Sequence, residues 1–172
     1  MIPAVSLLEN SVDYEDAVNY GRLGWELAKD LSQLFDRSGF YDRAELEKSN
    51  KHKQALSCIE EKYENADFIV DDYSDISAVK IGHQALLDKL GEETMKELPG
   101  ENYRFTNEQI YFLSFANRFC QSTSYLRGFS SSKHRSDSIR VLNALENSEE
   151  FAQAFNCATS SPMNPQKKCT IW

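Results

Sequence analysis

The sequence between residues 106 and 119 reads TNEQIYFLSFANRF. Thr106 and Gln109 form the T-x-x-Q pattern of a capping box, which predicts that a helix begins here. The predicted helix runs from Asn107 to about Phe119 and is apolar on most of its sides. A helix with so little polar surface belongs in a core. This stretch therefore predicts a helix that lies in the core of the domain.

A second helical pattern begins after Asp16, an N-cap candidate, and continues to about Phe35. One side of it is an apolar stripe at helical spacing, made of Leu23, Leu27, Leu31, Leu34 and Phe35. The opposite face is polar and carries Arg22, Glu26, Lys29, Gln33 and Arg37. A solvated polar face is the simplest interpretation of that side.

A third helix is predicted from Val70 or Asp71 to Leu90, where Gly91 ends it. Its apolar stripe consists of Ile76, Val79, His83, Leu86, Leu87 and Leu90, and His83 is expected to be a core residue with a hydrogen-bond partner. A second face of small residues and acids would allow another helix to approach closely: Asp71, Asp75, Ala78, Gly82 and Ala85.

The remaining chain adds a charged helix over residues 44–64, one over 138–145, and one capped by Asn147 or Ser148. Strand signals are weak throughout. The predicted fold class is mainly α, with at most a short N-terminal strand.

Length and charge limit the function classes. A chain of 172 residues suits one domain. Its formal net charge of -8 argues against nucleic-acid binding, which requires a basic surface. No apolar run approaches the roughly 20 residues that span a bilayer. No signal peptide or anchor is recognised in the sequence given, so no targeting signal is expected within it.

Several motifs resemble the C-terminal end of the neprilysin and endothelin-converting-enzyme family of zinc metallopeptidases. The sequence MNPQKKCTIW at residues 163–172 is similar to the family's M-N-P-x-x-x-C-x-V-W ending. The sequence FLSFA at 112–116 resembles F-F-L-x-F-A, and LENSEEF at 145–151 resembles L-x-N-x-x-x-F. The match is strongest over 102–172. Upstream, Pro3-Ala4, Asn19-Tyr20-Gly21 and Phe35-Asp36 resemble the segments that flank the family's zinc helix.

This resemblance implies that residues 1–172 form one peptidase C-terminal domain, the helical part of a zincin-like lobe. It places the zinc helix over 16–37 and the E-x-x-x-D helix over 70–90. The family's H-E-x-x-H then falls on Lys29-Asp30-Leu31-Ser32-Gln33. Two histidines at i and i+4 would hold zinc, and the glutamate would polarise the attacking water.

The ligand positions implied by the resemblance are therefore Lys29, Gln33 and, for the family's third ligand, Asp71. Lys29 is a cation that repels zinc, and Gln33 is a poor zinc ligand. The base position holds Asp30, shorter than glutamate by one methylene. No zinc is expected to bind here, although zinc is the family's cofactor. For Asp71, Asp72 and Asp75, the simple alternative is an acidic helix N-terminus.

Three supporting positions match the family. Asp75 corresponds to the Asp that orients a zinc-bound histidine, and we predict that it pairs with Lys29 instead. His134 corresponds to the residue that stabilises the oxyanion. Arg140 corresponds to an arginine that holds substrate or organises the site. An exposed loop histidine is the simpler interpretation of His134.

No two of the four cysteines have C-x-x-C spacing. Spacing alone leaves open three disulfide connectivities or free thiols. The resemblance implies a Cys58–Cys169 disulfide, with Cys120 and Cys157 either free or paired by rearrangement.

The leading functional hypothesis is a catalytically inactive peptidase homologue that binds peptides or a protein partner. The alternatives are an active zinc metalloendopeptidase with an altered site and a truncated paralogue without an independent role. The resemblance implies an extracellular or membrane-associated location.

Overall fold

A computed structural model of the chain describes residues 15–33, 49–63, 66–98, 105–120 and 135–171. It contains seven α-helices within those ranges: α1 Glu15–Asn19, α2 Trp25–Gln33, α3 Asn50–Tyr63, α4 Ile69–Leu90, α5 Asn107–Asn117, α6 Asp137–Glu146 and α7 Glu149–Ala154. A π-helical turn, Tyr20–Gly24, joins α1 to α2, and 3₁₀ turns lie at Ala66–Phe68 and Gly91–Met95. The mainly helical fold class is confirmed.

Two very short strands accompany the helices. β1 (Glu97–Leu98) pairs antiparallel with β2 (Phe105–Thr106), with Glu97 opposite Thr106. The sequence did not predict this ladder because two residues are too few for an alternating pattern. The predicted N-terminal strand falls on residues 1–14, which lie outside the described residues.

Helix α4 is the centre of the molecule, since 13 of its 22 residues are buried. One side packs in a core with α2, α5 and α6, which contains Trp25, Val79, Leu86, Tyr111, Phe112 and Phe115. The other side packs against α3 and the C-terminal tail in a second cluster, which contains Leu56, Ile59, Tyr73, Cys169 and Ile171. In the described part of the chain, no helix has both the length and the apolar character needed to cross a bilayer.

The helix ends follow the local sequence. Thr106 Oγ1 accepts a hydrogen bond from the Gln109 backbone N–H, and the Gln109 side chain bonds back to the Thr106 N–H, so the capping box is confirmed. Ser148 caps α7 by accepting from the Phe151 N–H. Gly91 ends α4 with a φ of +54°, a conformation that favours glycine.

His83 is the core residue that the sequence predicted. It is 3% exposed, and its Nε2 lies 2.8 Å from Glu108 Oε1. Its ring also stacks on Phe112. The small-residue face of α4 is confirmed at Gly82, where the Tyr111 hydroxyl approaches closely and donates to the Val79 carbonyl.

The orientation of α2 differs from the sequence prediction. Leu23 in the π-helical turn and Leu27 and Leu31 on α2 are 44%, 55% and 56% exposed, so the described part of the apolar stripe faces outward. Leu34 and Phe35, the rest of that stripe, lie outside the described residues. The buried residues of this helix are Trp25, Ala28 and Ser32. Ala28 and Ser32 are small enough to let α2 lie close against α4, whereas leucines would hold the helices apart. The packing gained by bringing the backbones of α2 and α4 close together therefore outweighs the hydrophobic burial that the leucines would have gained.

The π-helical turn lies directly against α5. A Cβ atom on Gly21 would overlap the Tyr111 carbonyl oxygen and would lie 2.8 Å from Ser114 Cβ. Both contacts belong to a buried helix that cannot move aside cheaply. Gly24, in the same turn, has room for a Cβ, since its nearest neighbour would be 3.5 Å away.

We therefore expect Gly21→Ala to lower the free energy of unfolding by about 1–3 kcal/mol through overpacking. Gly24→Ala is the matched control and should be neutral or slightly stabilising, by up to about 1 kcal/mol of helix propensity. Urea denaturation followed by circular dichroism measures both. Equal stabilities for the two variants would contradict the close packing of the turn on α5.

Candidate functional site

Three carboxylates meet three cations at the first turns of α4. Asp71, Asp72 and Asp75 are 6%, 1% and 1% exposed. The cations come from two other parts of the chain: Lys29 from α2, and Arg135 and Arg140 from the start of α6 and the residues before it. We call these six residues the carboxylate cluster. Because its formal charges balance, the cluster is tolerated in a buried position.

Asp75 lies at the meeting point of three helices. Arg140 donates from Nε and Nη2 to its two oxygens at 2.7 and 2.8 Å, a bidentate pair. Lys29 Nζ lies 3.5 Å from Asp75 Oδ1. Burial raises the pKa of the Asp75 carboxyl, and the hydrogen bonds from Arg140 oppose that shift. The predicted Lys29–Asp75 ion pair is confirmed, and it ties α2 to α4.

Asp71 and Asp72 are held from the other side by Arg135. Its guanidinium binds Asp72 through Nε at 3.0 Å and Nη2 at 2.6 Å, and its backbone N–H donates to Asp71 Oδ2 at 3.2 Å. Asn143 adds a hydrogen bond to Asp72 at 2.9 Å. Asp71 and Asp72 lie in the first turn of α4, as expected of an acidic helix N-terminus. The three aspartates are in addition buried and bonded across helices, which that interpretation did not include.

Lys29 is not on a solvated face, contrary to the simple interpretation of the sequence. Its side chain is 13% exposed, and the ammonium lies 5.4 Å from the centre of the Trp25 ring. The Arg140 guanidinium lies similarly over Phe119, at 4.9 Å. Two aromatic side chains therefore cover the cations that flank Asp75, and this cover excludes water from the ion pairs.

The other predicted site residues do not join the cluster. Asp30 is exposed, and Gln33 is half-buried. Asp30 follows Lys29 directly, and helical geometry turns it about 100° away from the cluster. His134 lies outside the described residues, so its predicted role stays a prediction. Arg140 lies beside Asp75 with a side chain that is 11% exposed, and its predicted role in holding substrate stays a prediction.

Arg135, Asp72 and Asn143 were missed as site residues. A signal was present in the sequence, because three aspartates within five residues of one buried helix require cations nearby. Arg135 and Asn143 are more than 60 positions from Asp72 along the chain. Local patterns cannot select such partners.

The donor set does not suit zinc. At the three positions that correspond to zinc ligands, Lys29 is a cation bound to Asp75, Gln33 is an amide, and Asp71 accepts from the Arg135 backbone. Zinc needs neutral imidazole, thiolate or carboxylate donors that converge on one point. Among the described residues, no group of three or more His, Cys, Asp or Glu side chains is placed to hold a metal ion.

Sequence comparison gives the evolutionary context of this cluster. A family model described as peptidase family M13 matches residues 10–171. The chain belongs to that family. Endothelin-converting enzyme-like 1 of Mus musculus is 30% identical over 183 residues, which is 93% of this chain and 23% of the mouse protein. Neprilysin-21 of Caenorhabditis elegans is 28% identical, over 90% of this chain and 23% of its own length. Neprilysin of Oryctolagus cuniculus is also 28% identical, over 94% and 25%.

The chain spans about a quarter of the length of these relatives. The resemblance seen in the sequence motifs is thus confirmed at the level of the family. The cysteine pairing is confirmed too, since Cys58 and Cys169 form a disulfide whose Cα atoms are 5.6 Å apart. Cys120 and Cys157 are free thiols.

Proposed function

We propose that this chain is a non-catalytic member of the neprilysin-type peptidase family that binds a peptide or a protein partner. The observation that carries the proposal is the Lys29–Asp75 ion pair at 3.5 Å. A protein cation lies where a zinc-bound imidazole would be needed, and it neutralises the carboxylate that would orient that imidazole. A second cation at this point would be repelled.

Asp30 and Arg140 support the same proposal. Asp30, at the base position, is exposed and shorter than glutamate, and a displacement of about 1 Å can reduce a rate about a hundredfold. Arg140 commits Nε and Nη2 to Asp75. Three of its five N–H donors, two on Nη1 and one on Nη2, are left for a peptide carbonyl. Because the side chain is only 11% exposed, a bound peptide would rely mainly on other contacts.

The competing proposal is an active zinc metalloendopeptidase with an altered site. Membership of the family favours it, because the family's chemistry is zinc-dependent. The two proposals differ in metal content, since the active form needs one zinc ion per chain whereas the non-catalytic form needs none. The Cys58–Cys169 disulfide supports an oxidising, extracellular setting under either proposal.

Zinc analysis of the dialysed protein tests the proposal. We expect far less than one zinc per chain and no chelator-sensitive cleavage of short peptides. Saturable binding of an uncleaved peptide by this zinc-free chain would support the binding role. The variant Lys29→His/Asp30→Glu/Gln33→His/Asp71→Glu should take up zinc, because it removes the repelling ammonium and supplies the missing donors.

A histidine pair placed elsewhere controls for adventitious binding. Gln84 and Asp88 are exposed on α4 at i and i+4, so Gln84→His/Asp88→His adds two imidazoles without the third ligand. It should bind zinc more weakly than the four-residue variant. Stoichiometric zinc in the unmodified chain, together with chelator-sensitive cleavage, would overturn the proposal.

A further inference from the structure

A cavity of about 100 Å³ lies between α4, the junction of α6 with α7, and the C-terminal tail. Its lining consists of Ile76, Ser77 and Lys80 from α4, residues 147–150 from the junction, and residues 169–171 from the tail. Ser77 is two residues beyond Asp75, which turns its side chain about 200° around the helix. The cavity is therefore on the other side of α4 from the Asp75 ion pairs, and no member of the carboxylate cluster lines it. We call it the Ser77 cavity.

The Ser77 side chain is unusual among the buried serines of the helices. It is fully buried, and its Oγ has no hydrogen-bond partner among the described residues. Ser32 and Ser74, two other buried helical serines, each donate to the carbonyl four residues earlier at 2.7 Å. A buried hydroxyl without a partner is unfavourable. Because Ser77 lines the cavity, a molecule inside the cavity can supply the partner that the protein does not.

The other buried polar side chains of the lining already have partners. Asn147 Oδ1 accepts from the Cys169 N–H at 2.7 Å, and the amide nitrogen of Asn147 donates to two further oxygens at 2.6 and 2.7 Å. The Ser148 hydroxyl caps α7 and donates to Glu150 at 2.9 Å. Among the buried side chains of this lining, Ser77 is therefore the one that can form a new hydrogen bond without breaking another.

The charges around the Ser77 cavity favour a neutral ligand. Lys80 repels a cation, whereas Glu149 and Glu150 repel an anion. A ligand with a net charge of either sign therefore meets a like charge in the lining. Ile76 and Ile171 are 6% and 5% exposed and give the cavity an apolar wall. Small-molecule sites typically combine such apolar walls with a few polar groups that orient the ligand.

The volume limits the size of the ligand. An apolar cavity of about 150 Å³ holds benzene, so a cavity of about 100 Å³ that is open on one side suits a molecule of about four to six non-hydrogen atoms. We propose that the Ser77 cavity binds a small neutral molecule with a branched hydrocarbon group and one amide or hydroxyl group. The polar group bonds to Ser77 Oγ, and the hydrocarbon packs on Ile76 and Ile171.

Three probes with the same carbon skeleton test this site on the full chain: isobutyramide is neutral, isobutyrate is an anion, and isobutyramidine is a cation. We expect isobutyramide to cause saturable NMR shifts of the Ser77 and Ile171 amides, with a Kd of about 1–10 mM. The two ions should bind at least about tenfold more weakly, because each meets a like charge. Equal binding of all three probes, or no saturable shift with isobutyramide up to about 100 mM, would overturn the proposal.

A substitution locates the binding site. Ser77→Ala removes the hydroxyl and should weaken isobutyramide binding at least about fivefold. The variant should remain folded, because the lost hydroxyl has no partner within the described part of the protein. Ser74→Ala is the matched control, since Ser74 is buried on the same helix but does not line the cavity. It should change the Kd by less than about twofold. Equal weakening by the two variants would place the binding elsewhere.

Thermal unfolding provides a second, independent measurement. At about ten times its Kd, isobutyramide should raise the Tm of the unmodified chain by about 3–5 °C, because it binds the folded state selectively. The same concentration should raise the Tm of Ser77→Ala by much less. A change of equal size in both chains would be a solvent effect, and it would contradict a site at Ser77.

Discussion

Replacing Asp75 with alanine is expected to lower the free energy of unfolding by about 3–5 kcal/mol, the cost of leaving a buried charge without its partner. Two cations depend on this carboxylate. Arg140 is 11% exposed and Lys29 is 13% exposed, so neither can reach full hydration without moving out of the cluster. The change also removes a carboxylate that joins α2, α4 and α6 through ion pairs.

Asp88→Ala on the same helix is the control, because Asp88 is exposed and, among the described residues, accepts a hydrogen bond only from Gln84. Asp88→Ala should lower the free energy of unfolding by about 0.5 kcal/mol or less. Urea denaturation of both variants gives the comparison. A similar, small effect from Asp75→Ala and Asp88→Ala would show that the cluster contributes little.

A double-mutant cycle separates the ion pair from general packing damage. Arg140→Ala should be costly in the unmodified chain because Asp75 loses its bidentate partner, and much less costly when Asp75 is already alanine. Lys29→Ala should lower the melting temperature by less than Asp75→Ala, since it removes one cation at 3.5 Å and leaves the Arg140 pair intact. Strictly additive losses would rule out coupling through Asp75.

The features that the sequence predicted well are local ones. The capping box at Thr106 and the bounds of α4 are encoded by residues within a few positions of each other, and both were confirmed. Of the predicted stripe, Ile76, Val79, His83 and Leu86 are buried, whereas Leu87 and Leu90 are half-buried. Local hydrogen bonding and helical periodicity suffice for such features.

The orientation of α2 could not be predicted from periodicity, which identifies two faces but not the one that meets a neighbour. The decisive residues were the small ones, Gly21, Ala28 and Ser32, because they set the distance of closest approach. The same limitation applies to Lys29. On its own helix it belongs to a polar face, and only the approach of α4 makes that face an ion-pair site.

The family resemblance supplied the pairing that periodicity missed. It led to the prediction that Lys29 pairs with Asp75, and that ion pair was confirmed. It did not supply Arg135, whose contacts with Asp71 and Asp72 depend on how the residues before α6 return to α4. Such contacts join positions more than 60 residues apart, and nothing in the adjacent sequence specifies them.

The C-terminal tail depends on the Cys58–Cys169 disulfide in a way that can be measured. Cys169 is fully buried in the second cluster, and its backbone N–H donates to Asn147 Oδ1 at 2.7 Å. The disulfide fixes the tail to α3 across a sequence separation of 111 residues. Closing so long a loop restricts the unfolded chain strongly, and removing a native disulfide from a small domain typically costs about 2–5 kcal/mol.

The Cys58→Ala/Cys169→Ala variant should therefore lose about 2–5 kcal/mol of stability in urea denaturation. Cys120→Ala/Cys157→Ala is the matched control, because it removes the two thiols that form no disulfide, and it should stay within about 1 kcal/mol of the unmodified chain. Reduction should lower the stability of the unmodified chain and of the control, but not of the Cys58→Ala/Cys169→Ala variant. If the control loses as much as that variant, thiol packing rather than the cross-link stabilises the tail. If only the Cys58→Ala/Cys169→Ala variant is destabilised, the cross-link itself holds the tail and the second cluster together.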